Sequence, residues 1–177
     1  IFSGKPQPYV QFLNTMRKKM AERGYKEKEG PFVELQFWNC DALFMPQDHA
    51  ARGIHDVFFL SNPRSGRVGD KTLVDNVRKA HEGKLIEESS GWGGRWDVNF
   101  ALKPILRSQN TAVSARTLYA NGDKPGKFFC IGRTFRHDII DYKHLIEFYQ
   151  CDGMIIGEGL NFRQQLSHLR EILQMMG

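Results

Sequence analysis

The sequence predicts a mixed α+β fold in which helices flank an antiparallel β-hairpin. Two stretches rich in aromatic and branched residues, "GKFFCIGRTFRH" and "IEFYQCDGMII", are separated by a loop too short for a crossover helix. Strands joined in this way pair antiparallel. Helical periodicity at both ends of the chain supplies the flanking helices. At 177 residues, the chain is long enough for a single domain with a substantial core.

The first predicted helix covers residues 11–24. It carries Phe12, Met16 and Met20 on one face and ends at a glycine. We therefore expect a surface helix that buries a stripe formed by these three side chains.

The next predicted elements are short and separated by turns. Gly30 and Pro31 turn the chain into an extended segment. Residues 61–94 are the most loop-rich part, because "SNPRSGRVGD" and "EESSGWGGRW" contain many turn residues. The stretch "KTLVDNVRKAHEG" between them predicts a short helix.

Two further helices follow. The stretch "TAVSARTLYANG" has apolar residues at helical spacing and an Asn-Gly stop. The last helix, residues 161–177, begins at an Asn161 cap. Its expected buried face consists of Phe162, Leu166, Leu169, Leu173 and Met176.

Composition excludes several classes of protein. Hydrophobic residues make up 41% and charged residues 25%, which excludes disordered and fibrous chains. The three cysteines form no CxxC pair, which favours a reducing compartment over disulfides or structural zinc. With no apolar run as long as a membrane helix and no signal-peptide pattern, we expect a cytoplasmic protein without membrane contact. The net charge of +5 is compatible with phosphate or nucleic-acid binding but does not require it.

The hairpin carries polar residues where a sheet is usually apolar. Residues two apart on a strand point to the same side. The residues that share a face on this basis are Thr134, Arg136 and Asp138 on the first strand and Phe148, Gln150 and Asp152 on the second. If the faces align, they suit a ligand with phosphate, ammonium and a flat ring. A solvent-facing sheet shows the same alternation, so the pattern alone leaves both interpretations open.

Two other groups of residues allow two interpretations each. Asp48 and His49 can ligate a metal or make structural hydrogen bonds in a loop, and the lack of further ligands at suitable spacing favours the second. Trp92 and Trp96 can stack on RNA bases or pack over the edge of the core, and packing is the usual role of tryptophan.

Several separated stretches resemble one family closely. They are "GKPQPYVQFL", "FVELQFWNCDALFMPQDHAAR", "TAVSARTL" and "GRTFRHDIIDYKHLIEFYQCDG". Together they resemble the alpha subunits of phenylalanyl-tRNA synthetases of the archaeal and eukaryotic cytosolic type. These are class II aminoacyl-tRNA synthetases, so the resemblance implies an antiparallel sheet flanked by helices. It covers nearly the whole chain.

The resemblance also assigns motifs. Residues 11–37 resemble motif 1, with Pro31 as its proline, and residues 132–153 resemble motif 2, which holds ATP and the acceptor end of tRNA. The family's motif 3 is expected after the last helix, where this sequence stops at Gly177. We therefore expect residues 1–177 to be a single-domain part of a catalytic domain, inactive alone and lacking most of the phenylalanine pocket.

Individual roles follow from the matched positions. For ATP, the resemblance implies Arg136 at the α-phosphate, Asp138 and His144 near the phosphates, and Phe148 under the adenine, with Arg136 and His144 as catalytic residues. For the amino acid it implies contacts from Gln109, Thr111, Gln150, Asp152 and His55. No metal site is expected among the side chains, because no further His or Cys lies at ligand spacing.

This chain departs from the family pattern at a few positions. Gln109 and Asn110 stand where the family commonly has His-Thr, so an amide replaces an imidazole. Asp138 and Asp152 stand where glutamate is usual, and Ala50 replaces a proline. These changes lie among the residues assigned to the substrates. The resemblance therefore predicts the family better than it predicts which amino acid is bound.

The implied reaction is ATP-dependent activation of phenylalanine to an adenylate and transfer to the 2′-OH of the terminal adenosine of tRNA-Phe. The implied cofactors are ATP and Mg²⁺, and the implied partner is a beta subunit in an alpha2-beta2 heterotetramer. One alternative is a non-catalytic synthetase-like module that binds tRNA or nucleotide, motivated by the substitutions at Gln109, Asp138 and Asp152. A second alternative is a basic nucleic-acid-binding domain with steep salt dependence and no response to ATP.

Overall fold

The computed structural model describes residues 4–53 and 56–176. Its α-helices are α1 (Pro8–Glu22), α2 (Gln36–Asn39), α3 (Lys71–His81), α4 (Val98–Ala101), α5 (Thr111–Asn121) and α6 (Phe162–Met176). Its strands are β1 (Lys26–Glu27), β2 (Val33–Leu35), β3 (Pro104–Leu106), β4 (Gly126–Phe135) and β5 (Glu147–Ile156). No helix in these two ranges is long and apolar enough to cross a membrane.

The β4–β5 hairpin is the main sheet element. The two strands pair antiparallel along their full length, as predicted. β1 adds on the other side of β4, but it runs parallel, so the sheet is mixed rather than purely antiparallel. β2 and β3 form a separate antiparallel pair beside it.

Helix α1 packs against β4, where its buried face meets Phe129 and Ile131. It begins at Pro8, earlier than predicted, because a proline at the first helical position needs no N–H partner. The buried side chains are Leu13, Met16 and Met20, whereas Phe12 is 37% exposed. The predicted stripe is therefore right at Met16 and Met20 and wrong at Phe12, because the helix is turned toward Leu13.

The glycine-rich region after α3 is closely packed. The short helix predicted there is α3. Gly83 and Gly91 both have positive φ, and a Cβ on either would overlap the backbone of the facing segment. The N–H of Trp92 donates to the carbonyl of His81 at 2.8 Å, which ties the loop to the end of α3. We expected a flexible loop here, but backbone contacts hold it.

Helix α6 has the predicted extent and cap but a different buried face. Asn161 accepts a hydrogen bond from the N–H of Gln164 at 3.2 Å. The helix packs through Met175 and Ile172 against the buried cluster that contains Leu13, Met16 and Met20 of α1. The predicted buried residues are largely exposed in this structure: Phe162, Leu166, Leu169, Leu173 and Met176. Periodicity predicts an apolar stripe, but it does not determine which side of the helix meets its neighbour.

Candidate active site

The pairing of β4 with β5 gathers the polar residues of the second strand on one face. Gln150 lies opposite Gly132, and Asp152 lies opposite Cys130. Phe148 lies two residues before Gln150 and so points to the same side. The predicted convergence of ring, amide and carboxylate is therefore present along β5.

Arg136 lies at the open end of this face. β4 ends at Phe135, but the N–H of Arg136 still donates to the carbonyl of Ile146 at 3.0 Å. Its Nε donates to the carbonyl of Ser108 at 3.1 Å, and its guanidinium carbon lies 5.2 Å from the ring centroid of Phe148. Among the described residues, its two terminal nitrogens make no hydrogen bond, so they can bind an anion beside an aromatic ring.

Asp138 and His144 lie in the loop that joins the two strands. The strand predicted to reach residue 137 ends at Phe135, so Asp138 is a half-buried loop residue rather than a member of the strand face. His144 Nδ1 lies 2.9 Å from Asp141 Oδ1. This hydrogen bond and the charge of Asp141 raise the pKa of His144 above its ordinary value, and the charge of Asp138 adds to the effect. The loop therefore favours a protonated imidazole that suits a phosphate.

The first turn of α5 holds the side chains of Gln150 and Asp152. The N–H of Asn110 donates to Gln150 Oε1 at 3.0 Å. The hydroxyl of Ser114 donates to Asp152 Oδ2 at 3.1 Å, and the N–H of Gly153 donates to Asp152 Oδ1 at 2.8 Å. Both acceptor groups are thus oriented before any ligand binds, and the Gln150 amide keeps its Nε2 donors free among the described residues.

The other predicted amino-acid contacts have mixed positions. Gln109 Nε2 donates to the backbone carbonyl of Asn39 at 2.6 Å, so its amide is partly engaged within the protein. Thr111 is half-buried at the start of α5, next to this group. His55 lies outside the described residues.

Sequence reasoning missed the segment that joins these parts. Arg107 is buried, and its guanidinium donates to the carbonyls of Arg133 at 2.7 Å and Gly30 at 3.1 Å. Its own N–H donates to the carbonyl of Phe32 at 2.8 Å. Burial lowers the pKa of Arg107. These contacts bridge distant parts of the chain, so no local pattern in "RSQN" could reveal them.

The thiols next to this face are not suited to nucleophilic chemistry. Burial raises the pKa of the Cys130 thiol to about 11. Cys151 is exposed at the surface, but desolvation by neighbouring atoms and the charge of Asp152 also raise the pKa of its thiol. Both groups are therefore thiols near neutral pH, and the thiolate is the reactive form.

The remaining candidates make structural contacts. His49 Nδ1 accepts a hydrogen bond from the N–H of Ala51 at 3.1 Å, which fits the structural interpretation of this loop. Trp96 is buried and donates to Asp41 Oδ1 at 2.6 Å, whereas Trp92 is half exposed and lies against Phe44. Within residues 4–53 and 56–176, no three or more His, Cys, Asp or Glu side chains form a group that could hold a metal ion.

Known proteins resemble this chain in sequence and in fold. The alpha subunit of phenylalanine–tRNA ligase from Methanopyrus kandleri is 44% identical over 176 residues, 99% of this chain. The subunit of the same name from Thermococcus onnurineus is 45% identical over 171 residues, 96% of this chain. The chain spans 34% of the length of either relative.

A solved structure supports the fold independently. The pyrrolysyl-tRNA synthetase from Desulfitobacterium hafniense matches with a TM-score of 0.59 at 15% identity. The match covers 96% of this chain and 46% of that one. The class II synthetase-like fold expected from the sequence is therefore confirmed. The family model described as "tRNA synthetases class II core domain (F)" matches residues 1–177, so this chain belongs to the family of class II tRNA synthetase core domains.

Proposed function

We propose that this chain is part of a phenylalanine–tRNA ligase alpha subunit that activates phenylalanine with ATP and transfers it to tRNA-Phe. The names of its relatives support the substrate. The observation that carries the proposal is the single face on which Arg136 lies against Phe148 while Gln150 and Asp152 follow along β5. Such a face offers the three kinds of contact that an aminoacyl adenylate requires: a phosphate contact, a stacking surface and ammonium acceptors.

In the first step, a carboxylate oxygen of phenylalanine attacks the α-phosphorus of ATP. The bond to the bridging oxygen breaks, pyrophosphate leaves, and a mixed anhydride with AMP forms. Arg136 donates to the α-phosphate oxygens, where negative charge develops, and its charge is not lost by deprotonation. His144 and Asp138 lie near the phosphates, and Phe148 stacks on adenine.

In the second step, the 2′-hydroxyl oxygen of the terminal adenosine of tRNA-Phe attacks the carbonyl carbon of the adenylate. The bond from that carbon to the phosphate oxygen breaks, AMP leaves, and the hydroxyl proton is released. Asp152, assisted by Gln150, binds the ammonium group of phenylalanine throughout, with Gln109, Thr111 and His55 contributing to the same pocket. Because no side chain acts as a covalent nucleophile, catalysis rests on orientation and charge stabilisation.

Mg²⁺ and the partners belong to the same proposal. Mg²⁺ is usually held by substrate phosphates together with one or two carboxylates and water, so we propose that it binds with ATP rather than at a preformed protein site. When bound, it neutralises charge on the phosphate oxygens. The alpha-subunit name of the relatives supports a beta-subunit partner. The alpha2-beta2 assembly and the cytoplasmic location belong to the proposal through the family resemblance alone.

The test is amino-acid-dependent exchange of pyrophosphate into ATP. It uses the full-length protein that contains this chain, co-expressed with its beta subunit, and each standard amino acid in turn. We expect exchange with phenylalanine above all others. A folded complex that exchanges with no amino acid would contradict the proposal and favour the non-catalytic binding module.

A further inference from the structure

Residues 108–110 lie between the two groups of side chains assigned to the two substrates. At one end, the carbonyl of Ser108 accepts a hydrogen bond from Arg136 Nε at 3.1 Å. At the other end, the N–H of Asn110 donates to Gln150 Oε1 at 3.0 Å. This short stretch therefore hydrogen-bonds at one end to a residue assigned to ATP and at the other end to the amide of a residue assigned to the amino acid.

The side chain of Asn110 fixes that stretch to both strands of the hairpin. Its Nδ2 donates to the carbonyl of Gly132 at 3.1 Å and to the carbonyl of Gln150 at 2.6 Å. Gly132 and Gln150 are opposite each other in the β4–β5 register. One fully buried amide thus contacts β4 and β5 at the same level of the sheet.

The surroundings are shaped to admit this amide. A Cβ on Gly132 would overlap the Arg107 guanidinium and lie 3.2 Å from Asn110 Oδ1. Glycine is therefore the residue at this strand position that lets Asn110 and Arg107 approach the backbone. Asn110 Oδ1 is buried and has no hydrogen-bond partner among the residues that the structure describes, which is costly. An amide kept despite that cost points to a role for its Nδ2 donors.

We infer that Asn110 is a positioning residue that holds Gln150 in place for the amino-acid substrate, an inference that rests on the proposed function. Its side chain anchors the stretch to the sheet, and its backbone N–H then orients the Gln150 amide. It acts through Gln150 and does not itself touch the substrate. Among the described residues, the hydrogen bond from this stretch to Arg136 is made by the Ser108 carbonyl, at the end away from the Asn110 anchor.

The first test compares Michaelis constants for the two substrates in pyrophosphate exchange, using the full-length protein with its beta subunit. We expect Asn110→Ala to raise KM for phenylalanine about tenfold and to change KM for ATP less than about twofold, the effect of losing hydrogen bonds on one side only. Asn110→Ser keeps one donor and is expected to recover part of the loss.

The matched control is Thr117→Ala. Thr117 is also buried, lies on α5 and donates one hydrogen bond to the carbonyl of Val113. Loss of this bond loosens the same helix without touching Gln150, so we expect both Michaelis constants to stay near wild type. If Thr117→Ala raises KM for phenylalanine as much as Asn110→Ala, the positioning role is wrong. If Asn110→Ala does not fold, the comparison is made with Asn110→Ser, for which a normal KM for phenylalanine overturns the inference.

The second test is a double-mutant cycle with Gln150→Ala. If Asn110 acts through Gln150, Asn110→Ala adds little to KM for phenylalanine once Gln150 is removed. Fully additive effects, or equal increases in both Michaelis constants, would overturn the inference while the wild-type exchange still supports the proposed function. A wild-type complex without phenylalanine-dependent exchange would overturn the proposed function itself, and the inference with it.

Discussion

The two parts of the β4–β5 hairpin that face the proposed substrates differ in how firmly the protein holds them. On β5, Gln150 and Asp152 are half-buried, and the first turn of α5 hydrogen-bonds to both side chains. In the connecting loop, Ile139 is 90% exposed and Tyr142 is 89% exposed. The amino-acid side is prearranged, whereas the loop that bears His144 is open to solvent.

This difference in exposure predicts different roles for the two regions in substrate binding. A prearranged group loses little conformational entropy on binding, so it can discriminate between ligands. An exposed loop loses more conformational freedom when a ligand contacts it, and this loss of entropy opposes binding. We therefore expect the β5 side to govern selection of the amino acid and the loop side to respond to ATP.

The largest effect is expected from Arg136→Ala. It removes the guanidinium that lies between the two regions, and loss of one such donor commonly lowers kcat by about 10² to 10³-fold. Arg133→Ala is the control, since Arg133 lies three residues earlier on β4, is exposed and pairs with Glu147 at 3.2 Å. Pyrophosphate-exchange rates measure both variants, and equal rates for the two would contradict the role of Arg136.

The next largest effect is expected from Gly132→Ala, which changes the packing beside Asn110 and Arg107 on the amino-acid side of the site. The new methyl group would overlap the Arg107 guanidinium, and overpacking of this kind typically costs about 1–3 kcal/mol. Denaturant unfolding should show this loss, together with a higher KM for phenylalanine. Gly69→Ala is the control because, apart from Gly69 itself and its two chain neighbours, no atom of the described residues lies within 4 Å of its Cβ position. If Gly132→Ala has the same free energy of unfolding and the same KM for phenylalanine as the wild type, the site is not closely packed.

A smaller effect is expected from Ser114→Ala. The Asp152 carboxylate loses the hydroxyl donor at 3.1 Å but keeps its bond from the Gly153 N–H. Loss of one hydrogen bond should raise KM for phenylalanine about fivefold while leaving KM for ATP unchanged. A selective rise in KM for ATP would contradict the division between the two regions.

The smallest effect concerns the pH dependence of the loop. Asp141 raises the pKa of His144, so their pairing is fully present below the ordinary histidine pKa of 6.5 and is lost as pH rises through the higher folded value. KM for ATP should rise over that same interval if protonated His144 contacts phosphate. Asp141→Asn should move the rise to lower pH, as measured by exchange kinetics and by NMR titration of His144. An unchanged pH profile in Asp141→Asn would show that Asp141 does not govern the protonation of His144.

Most of the fold was predictable because it depends on local patterns. The spacing of two branched, aromatic stretches predicted the antiparallel hairpin, and turn residues predicted the ends of α3 and α5. The docking side of α6 was predicted wrongly, since an amphipathic pattern does not reveal which neighbour covers it. The packing of the loop around Gly91 was missed because glycine predicts turns whether or not they pack.

The site was predictable only in part. Alternation along β5 indicated the shared face of Gln150 and Asp152, and resemblance supplied their proposed roles. The hydrogen bonds made by the side chains of Arg107 and Asn110 were not predictable. Their partners lie 22 to 77 residues away in the chain, and only the folded sheet brings them together. Long-range hydrogen bonds of this kind leave no periodic trace in a sequence.

The most direct measurement of the contrast between the two regions is hydrogen exchange on the full-length protein with its beta subunit, with and without ATP and phenylalanine. We expect amides in residues 137–146 to slow about tenfold or more when the ligands bind, because an open segment becomes ordered. Amides in residues 110–114 and 148–153 should already exchange slowly and change little. Fast exchange in both regions before binding, followed by equal protection, would contradict a prearranged amino-acid side.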